Sequence, residues 1–419
     1  MAPIQPVRSL SAPSLSAHPD SLSHRMTPAE RRASGALASI YALRMLGLFL
    51  VLPVFALQAR HYPGGDNAAL VGLAMGIYGL TQALLQVPLG MASDRIGRKP
   101  VIIGGLALFA IGSAVAAWAP SLTWLVIGRA LQGGGAISAA VTALLADLTR
   151  DSVRTKSMAL VGISIALMFA LSLVAAPVLV QHIGLSGLFL LTAALALAGM
   201  AVVAWVVPPE PALPTVTGRG SLREVLRDAE LLRVDLGVFV LHAVQIAMWM
   251  AVPALLVQAG LDTRHHWYVY LPAVLGSLLV IGGVLFRLER QGHFRAVYLG
   301  SIALIVLVQL GFLVSLQASV PSIGLVAVLL TLYFVGFNTQ EAGQPSLASR
   351  LAAPHQRGAA LGVYNTLMSL GIFTGGSVGG LVVQHWGGSG IFTVSAVLMA
   401  VWLLLAWPMN AQRSSPTRH

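Results

Sequence analysis

The chain has 419 residues, 57% of them apolar and only 9% charged, with a formal net charge of +11, a mean hydropathy of +0.82 and no cysteine. A soluble domain is about one quarter charged, so this composition belongs to a protein that crosses a membrane many times. The missing cysteines exclude disulfides, thiolate metal sites and cysteine nucleophiles. The cations do not form the single basic patch that nucleic acid would need; they recur in every second loop.

Residues 1–33 are rich in Ser, Pro and Ala and hold no apolar run long enough for a signal peptide. They read as a disordered cytoplasmic tail, with an organellar presequence or an over-extended start as alternatives. Crossing the hydrocarbon takes about 20 apolar residues as helix, and helix is required because lipid cannot satisfy a free backbone amide. Apolar runs between breakers predict twelve such helices, over 34–59, 68–92, 100–118, 122–146, 157–181, 186–207, 234–259, 267–286, 296–316, 321–347, 358–384 and 388–408. The long polar break 208–233 starts Pro-rich and then opens a short charged surface helix at a capping box, Ser221-Leu-Arg-Glu224. It divides an all-α membrane protein into two six-helix bundles, 34–207 and 234–408, followed by a short tail, 409–419.

Charge sets the orientation. With the N-terminus inside, 21 of the 25 Lys and Arg fall in inner segments; the outer loops hold only Arg60 and Arg264, and Arg44 and Arg129 lie within spans. Loops rich in Lys and Arg stay cytoplasmic, so both termini are placed there. The halves also echo one another, as internal repeats in transporters do. Glu289-Arg290-Gln-Gly292-His293 follows span 8 as Asp94-Arg95-Ile-Gly97-Arg98 follows span 2, and Arg357 leads into span 11 as Arg154 leads into span 5.

The most informative segment is the loop Gly90-Met-Ala-Ser-Asp94-Arg95-Ile-Gly97-Arg98-Lys99. It matches the signature loop of the major facilitator superfamily, Gly-x-x-x-Asp-Arg-x-Gly-Arg-Lys/Arg. A second motif of that family, an Arg followed by Gln-Gly and small residues, is matched by Arg129-Ala-Leu-Gln132-Gly133-Gly134-Gly135-Ala136. Over about residues 34–408 the chain thus resembles this superfamily. Arg44-Met-Leu-Gly and Ile77-Tyr78-Gly-Leu-Thr-Gln82 look most like the YajR-type branch of its drug:proton antiporter group. The type member of that branch carries a small soluble C-terminal domain, which is not expected here. Span 5 reads Ala176-Pro177 where the antiporter group has a Gly-Pro pair.

The gating candidates are Gly90, Asp94, Arg95, Gly97, Arg98, Lys99 and Asp147. Asp147 closes span 4 at the same face, within reach of Arg98. The resemblance implies that Asp94 faces the start of span 11 around Arg357-Gly358. A carboxylate held there by a helix N-terminus would latch the inner ends of the two halves and stabilise an outward-facing state. The proton-coupling candidates are Arg44, Arg129, Glu341 and His242. Arginine at the bilayer centre costs about 2.5–3.5 kcal/mol on insertion scales, so Arg44 needs a wet cavity or a polar partner such as Gln82. In related antiporters the counterpart of Arg129 tunes a nearby acid, yet spans 1–6 hold no deep acid. Glu341 is the only acid well inside the second half's spans, Asp235 standing at the mouth of span 7. The substrate-cavity candidates are Tyr78, Gln82 and Gln86 on one face of span 2, with Met248, Trp249, Asn338, Tyr364 and Asn365. Rings and amides with few charges suit lipophilic or amphipathic molecules better than sugars.

No phosphate-cradling loop, HExxH helix, metal cluster or nucleophile constellation is present, so neither ATP-driven transport nor enzyme activity is expected. The expected protein is a monomeric, proton-driven antiporter in a bacterial inner membrane, exporting a small lipophilic or amphipathic compound without a cofactor. Proton-coupled nutrient uptake and a non-transporting membrane sensor are the alternatives.

Overall fold

The computed structural model describes residues 26–210, 222–285, 287–288, 291–318, 320–353 and 356–409. Residues 1–25, Ser221, most of the linker, the Glu289-Arg290 pair and the tail from 410 lie outside the described residues.

The first helix, α1, runs Pro28–Gln58 and starts six residues ahead of the expected 34. Its start is a capping box that the sequence reading passed over. The Glu30 amide donates to Thr27 Oγ1 at 3.2 Å and the Thr27 amide to Glu30 Oε2 at 2.8 Å, with Pro28 at the first helical position. Glu30 also receives Arg150 at 2.8 Å, tying the start of α1 to the start of α6.

α2 (Ala68–Ile96) and α3 (Arg98–Ala117) follow. The expected span 122–146 is instead two pieces, α4 (Leu122–Gly134) and α5 (Ser138–Asp147), broken at Gly135. The cause is crowding of backbones. A Cβ on Gly133 would lie 2.1 Å from the Tyr78 carbonyl, and one on Gly135 would lie 2.5 Å from that of Gly105. Only glycine lets three helices close there.

Two helices are far longer than a bilayer. α6 (Asp151–Trp205) would be roughly 80 Å long if straight, but turns back at Gly184, φ 65°. The last helix, Arg357–Ala406, turns back at Gly387, φ 61°. Each covers two expected spans, joined by a single left-handed glycine rather than a loop.

Between them lie α7 (Leu222–Val225), α8 (Ala229–Gln258), α9 (Trp267–Val280), extended by a π-turn over Ile281–Leu285, α10 (Phe294–Ser315) and α11 (Ile323–Leu351); the long C-terminal helix is α12. Asp228 caps α8 through the amides of Glu230 and Leu231. Val225 of the one-turn linker helix packs with Leu231, Ala352 and Ala360, so the linker docks on the second half. Among the described residues nine helices are long and apolar enough to cross a membrane.

The core is not evenly shared. One large cluster fills the second half and takes in one end of the first, through Val51, Phe55, Ala59, Val71, Met75 and Phe189. The other end of the first half has its own cluster around Leu37, Ile102, Leu144 and Val203. The two halves are therefore packed together at one end and separate at the other, the end that carries Asp94.

Candidate functional site

At the separated end, α2 and α3 meet at Gly97, φ 102° and ψ 152°, a conformation essentially reserved for glycine. The turn brings Arg98 back onto the last turn of α2. Its guanidinium pairs with Asp94, donates to Ser93 Oγ at 2.7 Å and reaches Asp147 at 3.3 Å. Glu210, arriving from the end of α6, accepts from the backbone amides of Arg98 at 2.7 Å and Lys99 at 3.4 Å. It thereby supplies the cap that α3 lacks locally. Lys99 Nζ donates to the Val207 carbonyl at 2.8 Å. Gly90 faces Ala139, and Arg95 is exposed. The network thus joins the first half to the start of the linker and takes nothing from the second half. Asp94 makes no hydrogen bond or ion pair with residues 357–358 among the described residues, because the halves are apart at this end.

Glu210 was missed because its partner lies more than a hundred residues away and no local pattern marks it. It gives Gly97 a second reason to be glycine, since a Cβ there would lie 2.7 Å from Glu210 Oε1. Gly97→Ala is expected to lower unfolding stability by about 1–3 kcal/mol. Glu210→Gln keeps the acceptor and loses only the charge, costing about 0.3–1 kcal/mol. Denaturation in detergent should rank the two in that order.

At the packed end, the seam between halves is made of glycine. Gly72, Gly76 and Gly79 of α2 sit directly on the first leg of α12. A Cβ on each would lie 2.3 Å from Gly376 O, 2.5 Å from Phe373 O and 2.3 Å from Ser369 O, respectively. From the other side, a Cβ on Gly376 would lie 2.5 Å from Gly76 N and one on Gly380 would lie 2.6 Å from Ala68 O. These are two small-x-x-x-small helix faces. The spacing Gly72/Gly76 and Gly376/Gly380 was legible in the sequence, though nothing there paired them. Gln82 Nε2 donates to Ser369 Oγ at 3.1 Å, and past it no hydrogen bond crosses between α2 and α12 among the described residues. Midway, a chain of rings links the halves, Phe49 to Phe169 at 5.1 Å and Phe169 to Phe334 at 5.9 Å. A crevice of about 10 Å³ beside it is lined by Gln245, Met248, Trp249, Tyr333 and Phe334.

The two buried arginines of the first half share one tyrosine. Arg44 donates to Tyr78 Oη at 2.7 Å and Gly135 O at 3.3 Å, over the Phe109 ring; its partner is Tyr78 rather than the expected Gln82. Arg129 donates to the carbonyls of Ala74 and Met75 and to Gln132 Oε1 at 2.8 Å, over the Tyr78 ring. Among the described residues neither meets a carboxylate. Tyr78 is accordingly committed to this core and is 2% exposed. Gln86 is buried with its Oε1 unpartnered.

In the second half His242 and Glu341, expected separately, come together. His242 Nδ1 donates to the Val238 carbonyl at 3.0 Å, which turns Nε2 toward Glu341 Oε2 at 3.4 Å. Glu341 is the exposed member of the pair. Met248 Sδ accepts from Gln309, Asn338 donates to Ser277 Oγ, Trp249 packs edge-on against Tyr270, and Tyr364 is buried one residue from the part-buried Asn365. Asp235 was placed at a helix mouth by sequence, yet it is 2% exposed with Oδ2 unpartnered. At the packed end, the Arg264 guanidinium beside Asp262 holds its carboxyl down at about 2. That exposed acid therefore stays charged through the neutral and mildly acidic range and carries no proton there.

The profile of the Major Facilitator Superfamily matches residues 37–372 and 288–418. The chain is 41% identical to the inner membrane transport protein YajR of Escherichia coli K12 over 391 residues, 92% of this chain and 85% of that one. It is 28% identical to the multidrug resistance protein MdtH of Aeromonas salmonicida over 85% of this chain and 89% of that one. Its fold matches a bacterial homolog of the human lysosomal transporter Spinster, solved in an inward-facing and occupied conformation, with a TM-score of 0.70 at 13% identity, covering 93% of this chain and 98% of that one. A profile match over most of the chain, a close relative along nearly its whole length and the shared helical fold place this chain in the major facilitator superfamily, as a multi-pass membrane transporter of small molecules and not an enzyme.

Proposed function

We propose that the chain is a proton-coupled antiporter that exports small lipophilic or amphipathic compounds across a bacterial inner membrane by alternating access. In this reading twelve spans place both termini in the cytoplasm, the monomer is the working unit, and the proton gradient is the energy source with no cofactor. The observation that carries it is the one-sided seam: α2 and α12 touch backbone to backbone at the end away from Asp94 and part beyond Ser369. With the charged loops inside, this is an inward-facing state, closed to the periplasm by Gly72, Gly76, Gly376 and Gly380. Asp94 is then parked on Arg98, ready to exchange that partner for the head of α12 when the inner ends close. Export of such compounds is also one way in which a relative such as the multidrug resistance protein MdtH would confer resistance.

Everted membrane vesicles offered a lipophilic cationic dye from outside test the reading. Energised vesicles should accumulate the dye, and an uncoupler should release it. Accumulation in right-side-out vesicles instead would assign the chain to uptake. Absence of accumulation of this dye in both orientations counts against export of lipophilic cations.

A further inference from the structure

The packed end carries a cavity that the gate does not use. It measures about 210 Å³, and its walls come from both halves. The loop joining α1 to α2, with the adjoining ends of those helices, forms one side; Met250 of α8 and Val383 of the first leg of α12 form the other. Ala56, Val71 and Met250 are buried and give it an apolar floor. Arg60 and Asp66 stand exposed on its rim.

The backbone puts those two charges side by side. The chain leaves α1 through a short turn, Ala59–His61, and Gly65 lets the loop fold back on it. A Cβ at Gly65 would lie 2.2 Å from the Ala59 carbonyl oxygen and 2.7 Å from the Arg60 Cα, so the segment before Asp66 presses on the residue that carries the guanidinium. The Leu122 amide donates to the Pro63 carbonyl at 3.0 Å, and Asn67 caps α2 through the Leu70 amide at 3.1 Å, which holds the loop from both sides.

The two cations assigned to the outer loops differ in their partners. Arg264 gives two guanidinium nitrogens to Asp262, at 3.1 and 3.0 Å. Among the described residues Arg60 and Asp66 make no side-chain hydrogen bond or ion pair, with each other or with any other group. Opposite charges thus face one cavity and leave each other unsatisfied. A guanidinium takes a carboxylate in a two-pronged bond, a carboxylate takes an ammonium, and the floor takes hydrocarbon. A ligand with one charge alone would satisfy one rim group and be repelled by the other. The volume is below the roughly 300–1,000 Å³ of pockets for drug-sized ligands, so the occupant is smaller than the compounds proposed for export.

We propose that this cavity binds a small zwitterion of the amino-carboxylate class with a short hydrocarbon side chain, taken from the periplasm, and that the occupant holds the two halves closed at this end. Ala68, on the cavity wall, is also part of the seam, its carbonyl lying 2.6 Å from where a Cβ at Gly380 would stand. The walls part when this end opens, so the ligand binds one state. It raises that state's population by a factor of one plus its concentration over its Kd. The site stands on the cavity by itself, whereas the locking rests on the alternating-access reading above.

Equilibrium binding of radiolabelled L-leucine to the purified full chain in nanodiscs tests the site. Isocaproate and isoamylamine, which each keep one of leucine's two charges, serve as comparison ligands. Leucine should bind roughly 5- to 50-fold more tightly than either. Arg60→Gln and Asp66→Asn are surface substitutions that should each weaken leucine by a similar factor. The first should remove its advantage over the amine, and the second its advantage over the acid. No leucine binding, or binding indifferent to either substitution, overturns the site. Leucine should also speed maleimide labelling of a cysteine at the exposed Met91, on the inner end of α2, and Arg60→Gln should cancel that effect. Binding without a change in labelling overturns the locking. Failure of dye accumulation, with leucine still bound through Arg60 and Asp66, would remove the export reading and leave this site standing.

Discussion

Gly376→Val is expected to abolish dye accumulation while leaving a protein that folds and inserts. A Cβ at Gly376 would lie 2.5 Å from Gly76 N and 2.6 Å from the Gly72 carbonyl, and these are backbone atoms that cannot swing aside. Overpacking of this kind costs about 1–3 kcal/mol. In the alternating-access reading proposed above, the cost falls on one state alone, the one in which this end is shut. The equilibrium should therefore move toward the outward-facing state by roughly 5- to 150-fold, and the helices themselves should survive. The native chain has no cysteine, so a single reporter needs no cleared background. A cysteine replacing Val71, buried beside the seam, should be protected from a membrane-impermeant maleimide in the parent and react readily beside Gly376→Val. Equal labelling in the two backgrounds would show that the glycine seam is not the outer gate. Gly282→Val, at a position with nothing within 4 Å of an added Cβ, serves as the control that should change neither labelling nor transport.

Asp94→Asn should act in the opposite direction. The Asp94–Arg98 pair is part-exposed, with side chains 36% and 11% accessible, so its loss should cost only about 0–1 kcal/mol of stability. What the substitution removes is the charge that the head of α12 would attract when the inner ends meet. A carboxylate at a helix N-terminus is worth about 0.3–1 kcal/mol when exposed and up to ~2 kcal/mol when partly buried. The outward-facing fraction should then fall by roughly 2- to 30-fold, with transport falling alongside and the melting temperature nearly unchanged. A cysteine at the exposed Met91, on the inner end of α2, should label faster in this background. Arg98→Ala frees Asp94 from its present partner and should slow labelling at the same position. If both variants change labelling in the same sense, Asp94 does not exchange between two partners.

The gate and the titratable groups of the second half differ in how far they could be read in advance. The loop from Gly90 to Lys99 announces itself through closely spaced charges between apolar runs, and its Arg98–Asp147 contact follows from two loops sharing one membrane face. His242 and Glu341 could be singled out one by one because a titratable group inside a span is rare, but their meeting at 3.4 Å depends on how α8 crosses α11. Asp235 was passed over because distance from a helix end is a poor measure of burial. Asp235 is 2% exposed because the second half packs around this end of α8, where Trp402 of the second leg of α12 lies against Gly237.

Composition and hydrophobic run length were enough for the helical membrane class, since lipid permits a single segment no other way to satisfy its amides. Loop charge was enough for an expected orientation. Local chemistry was also enough for ends that were overlooked, as Thr27 with Glu30 and Asp228 with Glu230 demonstrate. Which glycines face which was a matter for the tertiary structure. Gly72 and Gly376 are some three hundred residues apart, and each reads alone as an ordinary small residue in a span. Contact between halves depends on the relative placement of two packed bodies, which no periodicity within either one encodes. Hence the end at which the halves close, and with it the state of the gate, is a property of the assembled chain.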